Sequence, residues 1–221
     1  MRILDLYAGL GGEQRRPAIE ARDHEYITLD KDPRFKCSLT SDIFNVTAQD
    51  LPGPWDFVWA SPPCEGFSVA AMRYHWQYEG NNSSMPKSAH VILSMRLVMK
   101  TLELIKELAP PAWLLENPRG MLRTLPFIKG YPRVTVTYCR YGLPYQKPTD
   151  LWGIVPGWIP RPACPSGHAD HMRSRKGYKG GLADQVRDPA LRAVVPWALW
   201  AEVLDALEGK PGPPKMRQLG F

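Results

Sequence analysis

ILDLYAGLGG, Ile3 to Gly12, runs an apolar β-type segment directly into three glycines within four residues. Glycines at such a place let the backbone turn tightly and approach a ligand closely, with a helix N-terminus just behind. The theme then repeats. Further β-type runs are read at Glu25 to Leu29, weakly near Leu39, and at Asp56 to Ala60, Ala112 to Leu115 and Val134 to Tyr138. Between them, Val91, Met95, Val98, Leu102, Ile105 and Ala109 recur at steps of four and three, which places them on one face of a core-facing helix. Strands alternating with helices predict βαβ units, hence an α/β fold with a mostly parallel sheet. Ligands of such sheets sit at the carboxyl ends of the strands.

The 221 residues suit one domain with a small appendage. Hydrophobic residues make up 44 %, enough for an ordinary core, and no apolar run approaches the length of a membrane span. MRILDLYAGLGG places an aspartate inside a short apolar run, a poor signal peptide and a good buried strand. A cytoplasmic protein with reduced thiols is expected. The four cysteines (Cys37, Cys64, Cys139, Cys164) lie far apart with no C-x-x-C pair, which speaks against a disulfide framework or a zinc ribbon. The net charge of +6 permits a polyanionic partner, and between Arg140 and Arg192 nine basic residues face only four aspartates. From Pro156 to about Pro189 the periodicity is lost, in a stretch too long for an ordinary connection. A helical pattern returns over Leu191 to Leu207, and GKPGPPKMRQLGF reads as a flexible tail.

Three further stretches carry chemistry. SPPCEGFS, Ser61 to Ser68, sets two prolines before a cysteine at the end of a strand. It is either a turn around a buried cysteine or a nucleophile held at a set angle. LLENPRG, Leu114 to Gly120, ends a very apolar strand in a glutamate, and a carboxylate buried there is usually a functional feature. YGLPYQKPTDLWG, Tyr141 to Gly153, adds a polar elbow between two strands. Asp30 suits a ribose hydroxyl pair or caps the LDKDP turn, and Asp42 in TSDIF suits an adenine amino group or a similar cap. Taken in order, DLYAGLGG, SPPCEGFS, ENP and YGLPYQKPTD resemble the DNA cytosine-5 methyltransferases, most of all the small phage-type members. The likeness runs from the first strand to the final helix.

That resemblance implies a Rossmann-like S-adenosylmethionine-dependent methyltransferase fold: a catalytic domain over 1–155, a minimal target-recognition insert over 156–189, a C-terminal helix over 190–209 and a flexible tail over 210–221. It implies S-adenosyl-L-methionine as cofactor, held by Asp5, Leu6, Tyr7, Gly9, Gly11, Gly12, Asp30, Asp42 and Pro62. It further implies that Cys64 adds to carbon 6 of a cytosine flipped out of double-stranded DNA, while Glu116 grips ring nitrogen 3 and the amino group, with Pro63 and Asn117 beside them. EGFSVAAMRYHWQYEGNNSSMPKS corresponds to a mobile catalytic loop, moving from Gly66 onward. Ser68, Arg119, Gln146, Lys147, Arg173, Arg175 and Lys176 are expected on the substrate, with Arg161 and Lys179 also facing DNA. Enzymes that methylate exocyclic amines carry an aromatic residue where Cys64 stands, so the cysteine points to carbon. No metal, no membrane contact and a monomer are expected.

The pattern departs from the family in places. Glu65 stands where a glutamine is usual, and Pro148 and Asp150 stand where two arginines are usual, one of them gripping the exocyclic oxygen of the base. Lys147, Arg119 or Arg140 substitutes, or the base is held differently. The family's closing asparagine has no counterpart before VVPWALWAEVLDAL. Cys164, His168 and His171 are spaced C-x3-H-x2-H without an evident fourth zinc ligand. A catalytically weak or inactive DNA-binding relative that keeps the fold is the alternative reading.

Overall fold

The computed structural model describes residues 1–69, 72–80, 83–164 and 189–210. In chain order these form β1 (Arg2–Leu6), α1 (Gly9–Glu20), β2 (Glu25–Asp30), β3 (Leu39–Thr40), β4 (Phe57–Ala60), α2 (Met72–His75), β5 (Trp76–Gly80) and β6 (Ser83–Pro86). There follow α3 (Ala89–Leu108), β7 (Ala112–Pro118), β8 (Arg133–Thr137), β9 (Pro148–Ile154), α4 (Pro189–Ala193) and α5 (Trp197–Leu207). Seven strands pair in the order β3-β2-β1-β4-β7-β9-β8. The first five are mutually parallel, and β9 runs antiparallel to both of its neighbours. This is a Rossmann-like sheet. Its strand order reverses between β1 and β4, and a cleft opens at such a switch point. The glycine turn after β1 and the proline-cysteine turn after β4 flank it on either side.

Period-2 alternation sorts the side chains of β1. Ile3 joins Tyr26, Trp59 and Trp200 in the core under α1 and α5, while Leu4 and Leu6 face Leu104 and Ile105 of α3 on the other side. With both faces covered, β1 is a continuous buried run whose exception, Asp5, must find a partner inside. The helix α3 buries a wider stripe than the single face read from its spacing. Leu97, Leu104 and Ile105 fill one cluster and Val91, Val98 and Leu102 another, because the helix lies over the sheet rather than beside it.

Three expectations are corrected. The helical pattern over Leu191 to Leu207 divides into α4 and α5. Pro196 lacks an N–H and drives the residue before it toward extended backbone, so the chain breaks there. The segment after Cys64 is not a bare loop, since it contains α2 and the antiparallel ribbon β5–β6. Buried Trp76 roots that ribbon by donating its indole N–H to the Gly66 carbonyl at 2.7 Å. Gly66 is closely packed: a Cβ there would lie 2.6 Å from Ser94 Oγ on α3. Arg161, expected on DNA, instead donates to Glu202 of α5 at 2.5 Å and to the Arg140 carbonyl at 2.5 Å. Glu202 is nearly buried and needs a cation. Among the described residues no helix is long and apolar enough to cross a membrane.

Trp200 knits this face together. Its ring lies 4.7 Å from Trp59 and 5.8 Å from Phe57, centre to centre, and the Arg15 guanidinium sits 4.7 Å above it. Trp200→Ala is expected to destabilise the fold by about 3–5 kcal/mol, measurable as a fall in the midpoint of urea unfolding.

Candidate active site

At the switch point a cavity of about 400 Å³ opens, a volume suited to a small organic ligand. One end is walled by Leu29, Asp30, Phe35 and Ile43, the other by Pro62, Cys64, Glu116 and Lys147. Residues Ala193 to Val195, between α4 and α5, close part of its rim.

The Asp30 end combines a carboxylate with apolar walls. Gly9, at φ +51°, is in left-handed backbone, and its N–H donates to Asp30 Oδ2 at 3.0 Å. Oδ1 of Asp30 accepts from the Asp32 N–H at 2.9 Å, and a carboxylate with two such bonds retains acceptor sites for a diol. Phe35, Leu29 and Ile43 supply apolar walls. Tyr7, Gly9, Gly11, Asp30, Asp42 and Pro62 all line the cavity. Asp42 also caps the turn that follows it, accepting from the Phe44 N–H at 3.0 Å. Asp5, Leu6 and Gly12 do not line it, and these three expectations are corrected. Leu6 belongs to the α3-side core and Gly12 is buried against Ala8 and Tyr26. Asp5 points under α1, where it accepts from Arg15 Nη2 at 2.7 Å and from the Tyr26 hydroxyl.

At the other end the register of β4 and β7 pairs Ala60 with Leu115 and so brings Ser61 level with Glu116. Glu116 is buried, and its Oε1 accepts from the Tyr138 hydroxyl at 2.8 Å. Ser61 also bonds its carboxyl, and Ser61 Oγ in turn accepts from Trp59 Nε1 at 2.7 Å. Burial raises the pKa of Glu116, opposed by Lys147, Tyr138, Ser61 and the more distant Arg15. The Cys64 thiol is half-buried in the cavity wall. Its pKa is pushed up to about 11, first by desolvation and then by the charge of Glu116, while Lys147 pulls it down and Glu65 adds a smaller rise. Glu65 itself faces solvent.

Asn117 is buried and does not face the cavity. Its Nδ2 donates to the Pro62 carbonyl at 3.0 Å, so it positions the cysteine turn from behind. Phe67 is fully buried and its carbonyl accepts from the Met121 N–H at 2.9 Å, anchoring the turn on its far side. Of the residues expected on substrate, Lys147 lines the cavity, whereas Ser68, Arg119 and Gln146 do not. Ser68 N–H closes the turn onto the Cys64 carbonyl at 3.0 Å, Arg119 is exposed, and Gln146 donates to the Cys164 carbonyl at 2.7 Å. Arg173, Arg175, Lys176, Lys179, His168 and His171 lie outside the described residues. Asp150, in place of a usual arginine, is fully buried and bound by Arg123 at 2.5 and 2.8 Å, by Thr135 at 2.7 Å and by Arg133 at 3.4 Å. It pairs across strands with Asn117 and Thr135, on the face of β9 opposite to Glu116's neighbour Leu151.

Sequence reasoning missed Tyr138, Trp59 and Arg15 as members of this site, and the rim at Ala193 to Val195. Tyr138 had a signal, since it follows a strand parallel to β7 and therefore emerges at the same sheet edge.

Residues 18–125 match the family model of C-5 cytosine-specific DNA methylases. A frog virus 3 (isolate Goorha) protein named "Probable DNA (cytosine-5)-methyltransferase" is 29 % identical over 229 aligned positions, covering 93 % of this chain and 99 % of that one. "Type II methyltransferase M.AgeI" of Thalassovita gelatinovora is 27 % identical over 79 % of this chain, which spans only 44 % of that longer protein. A solved E. coli structure described as a "putative DNA modification methyltransferase encoded within prophage" aligns over 75 % of this chain and 52 % of its own, at 19 % identity and a TM-score of 0.49. The chain is therefore similar to C-5 cytosine-specific DNA methylases over residues 18–125, and to the frog virus protein along nearly its whole length. S-adenosylmethionine is the methyl donor of that family, and the Asp30 end of the cavity fits it.

Thiol chemistry offers a direct check on the geometry. Alkylation of Cys64 by iodoacetamide, followed by peptide mass spectrometry, should accelerate about tenfold per pH unit from pH 7 upward and level off only near the thiol pKa of about 11. Removing the negative charge with Glu116→Gln should move that profile to lower pH. Removing the positive charge with Lys147→Met should move it higher.

Proposed function

We propose that this protein, acting as a monomer on double-stranded DNA, methylates carbon 5 of a flipped-out cytosine through a covalent bond from Cys64 to carbon 6. What carries this reading is one observation: Cys64 and Glu116, distant in sequence, stand in the wall of the same cavity whose far end suits S-adenosylmethionine.

Carbon 5 of cytosine is a poor nucleophile until something adds at carbon 6, and a thiolate does so. The Cys64 proton must leave first, because the thiol is neutral at pH 7 with a pKa near 11. As sulfur bonds to carbon 6, the electron pair of the 5,6 double bond moves through carbon 4 toward ring nitrogen 3. A raised pKa lets Glu116 hold a proton for that nitrogen, and Tyr138 orients the carboxyl. Negative charge thereby passes from sulfur to the Glu116 carboxylate. When bound, S-adenosylmethionine supplies an electrophilic methyl group to the cavity. The nitrogen 3 proton then returns to Glu116, and loss of the carbon 5 proton to water restores the ring and expels the thiolate of Cys64. The same geometry favours this reading over a non-catalytic DNA-binding module, which needs neither a thiol nor a desolvated carboxyl at one cavity wall. Arg173, Arg175 and Lys176 are proposed as DNA contacts on sequence grounds, arginine for guanine edges and lysine for phosphate.

Duplex DNA containing 5-fluorocytosine tests the covalent step, because fluorine cannot leave as a proton does and the adduct persists. The wild-type protein should form a denaturant-stable complex through Cys64, and Cys64→Ser should form none. Glu116→Gln should slow methyl transfer by about 10²–10⁴-fold, and Tyr138→Phe by a smaller factor. Methyl transfer without a trapped complex, or a complex formed by Cys64→Ser, would rule the mechanism out.

A further inference from the structure

Arg15 of α1 is only 5 % exposed, yet it lines the cavity together with Gly11. Its guanidinium is held by three neighbours. Nη2 donates to Asp5 Oδ2 at 2.7 Å, the Tyr26 hydroxyl bonds it beside Asp5, and its carbon lies 4.7 Å from the ring centre of Trp200. Nη1 stands against the glycine turn, where a Cβ on Gly11 would come within 2.5 Å of it. Nε is buried and has no hydrogen-bond partner among the described residues, and the same is true of Asp5 Oδ1. Asp5 and Tyr26 thus leave donors of the guanidinium fork unused. Close by, the Gly12 N–H makes the first bond of α1, to the Ala8 carbonyl at 2.8 Å. The N–H groups of Leu10 and Gly11 come before that bond and have no partner within the helix. Both residues line the cavity. A buried guanidinium and a helix N-terminus therefore meet on one stretch of wall, and both favour an anion.

We propose that Arg15 is the cation that receives the α-carboxylate of S-adenosylmethionine, its fork held in place by Asp5 and Trp200. The proposal rests on the cofactor's place in the cavity given above. The amino-acid tail of that molecule branches from the sulfonium, between the adenosine and the methyl group. With the adenosine at the Asp30 end and the methyl directed to the Cys64 end, the tail is left for the wall between them. That wall is the glycine turn, because β1 stands between β2 and β4 in the sheet. The field of Arg15 also reaches Glu116, so the guanidinium is within range of the transfer end. A carboxylate taken from water into such a cleft is costly unless a cation and hydrogen-bond donors meet it. The other cations on the wall stand elsewhere. Lys31 and Arg34 are at the Asp30 end, with Arg34 bound to Asp32, and Lys147 donates to the Arg192 carbonyl beside Tyr138. The ammonium and sulfonium of the same ligand offset its carboxylate, so binding adds no net negative charge next to Asp5.

The test is calorimetric titration of the full chain with S-adenosylmethionine and with decarboxylated S-adenosylmethionine, which keeps the adenosine, sulfonium and amine and lacks only the carboxylate. The wild-type protein should bind the parent about 10- to 100-fold more tightly, the range of hydrogen bonds to a charged group. The double variant Asp5→Asn/Arg15→Met removes both charges, so neither is left buried alone. It should bind the two ligands within about threefold of each other. A merely structural Arg15 would instead weaken both ligands alike and leave the preference intact. Asp30→Ala should behave in that way, weakening both by about tenfold. If the double variant does not fold, Arg15→Lys, which keeps a cation beside Asp5 but not the planar fork, should cut the preference by about threefold or more. Equal affinities in the wild-type protein, or an undiminished preference in the Arg15 variant, would overturn the role of Arg15 alone. A wild-type protein that binds neither ligand, or an Asp30→Ala protein that binds both as wild type does, would overturn the cofactor's place in the cavity, and this role with it.

Discussion

A carboxyl group buried at the end of a strand loses several kcal/mol of solvation unless donors and cations surround it, and the neighbourhood of Glu116 is arranged around that requirement. Tyr138 reaches it from the end of β8, and Ser61 reaches it from the end of β4 with its own oxygen held by Trp59. Trp59 is in turn packed on Trp200 of α5. One carboxyl therefore ties two strand ends and the C-terminal helix to the centre of the cleft. The donors favour the carboxylate and burial favours the acid, with burial the larger. A group so balanced is able to hold or release a proton as a bound base demands.

The cysteine turn is set by contacts that leave little room for another backbone path. Asn117 holds the Pro62 carbonyl, Ser94 excludes any side chain at Gly66, and Trp76 bonds the Gly66 carbonyl from below. Asn117 stands next to Glu116, so one short stretch of β7 both carries the acid and positions the thiol. The burial that orients Cys64 also raises its pKa, so position and reactivity oppose one another. Lys147 relieves part of that opposition because its charge acts on the thiol and the carboxyl together.

Behind the glycine turn, Asp5, Arg15 and Tyr26 form a buried set that supports the cavity from the α1 side. Gly11 belongs to this arrangement, since a Cβ there would lie 2.5 Å from Arg15 Nη1. A second ion pair, partly exposed Arg123 with fully buried Asp150, sits on the α3 side of β9. Removing one partner of such a pair leaves an uncompensated buried charge. The sheet around the cleft is thus braced by charge on both faces, while the cleft itself keeps a free thiol and a carboxyl.

Much of this was legible in the chain. Apolar β-type runs marked β1, β2, β4, β7 and β8 and helical spacing marked α3, because these elements bury apolar faces, and their alternation implied a parallel sheet. The order of the glycine, proline-cysteine and glutamate motifs pointed to the family, and the motifs' places at strand ends pointed to one cleft. Other features depended on which residues meet in space. Asp5 and Asp30 both stand in or at the end of an apolar strand, yet one is turned under α1 to Arg15 and the other opens on the cavity; only strand pairing and pleat decide between them. Nothing in the local sequence of Trp59 or Lys147 shows that they meet near Glu116, since β4 and the approach to β9 flank β7 only when the sheet forms. Asp150 stands where the family has an arginine, and its partner Arg123 comes from another segment that only the fold brings beside it. The sequence by itself determined the elements and the reactive groups, because those follow from local pattern and side-chain chemistry. The tertiary structure decided which groups are desolvated together, because burial and electrostatic coupling are properties of distance in space.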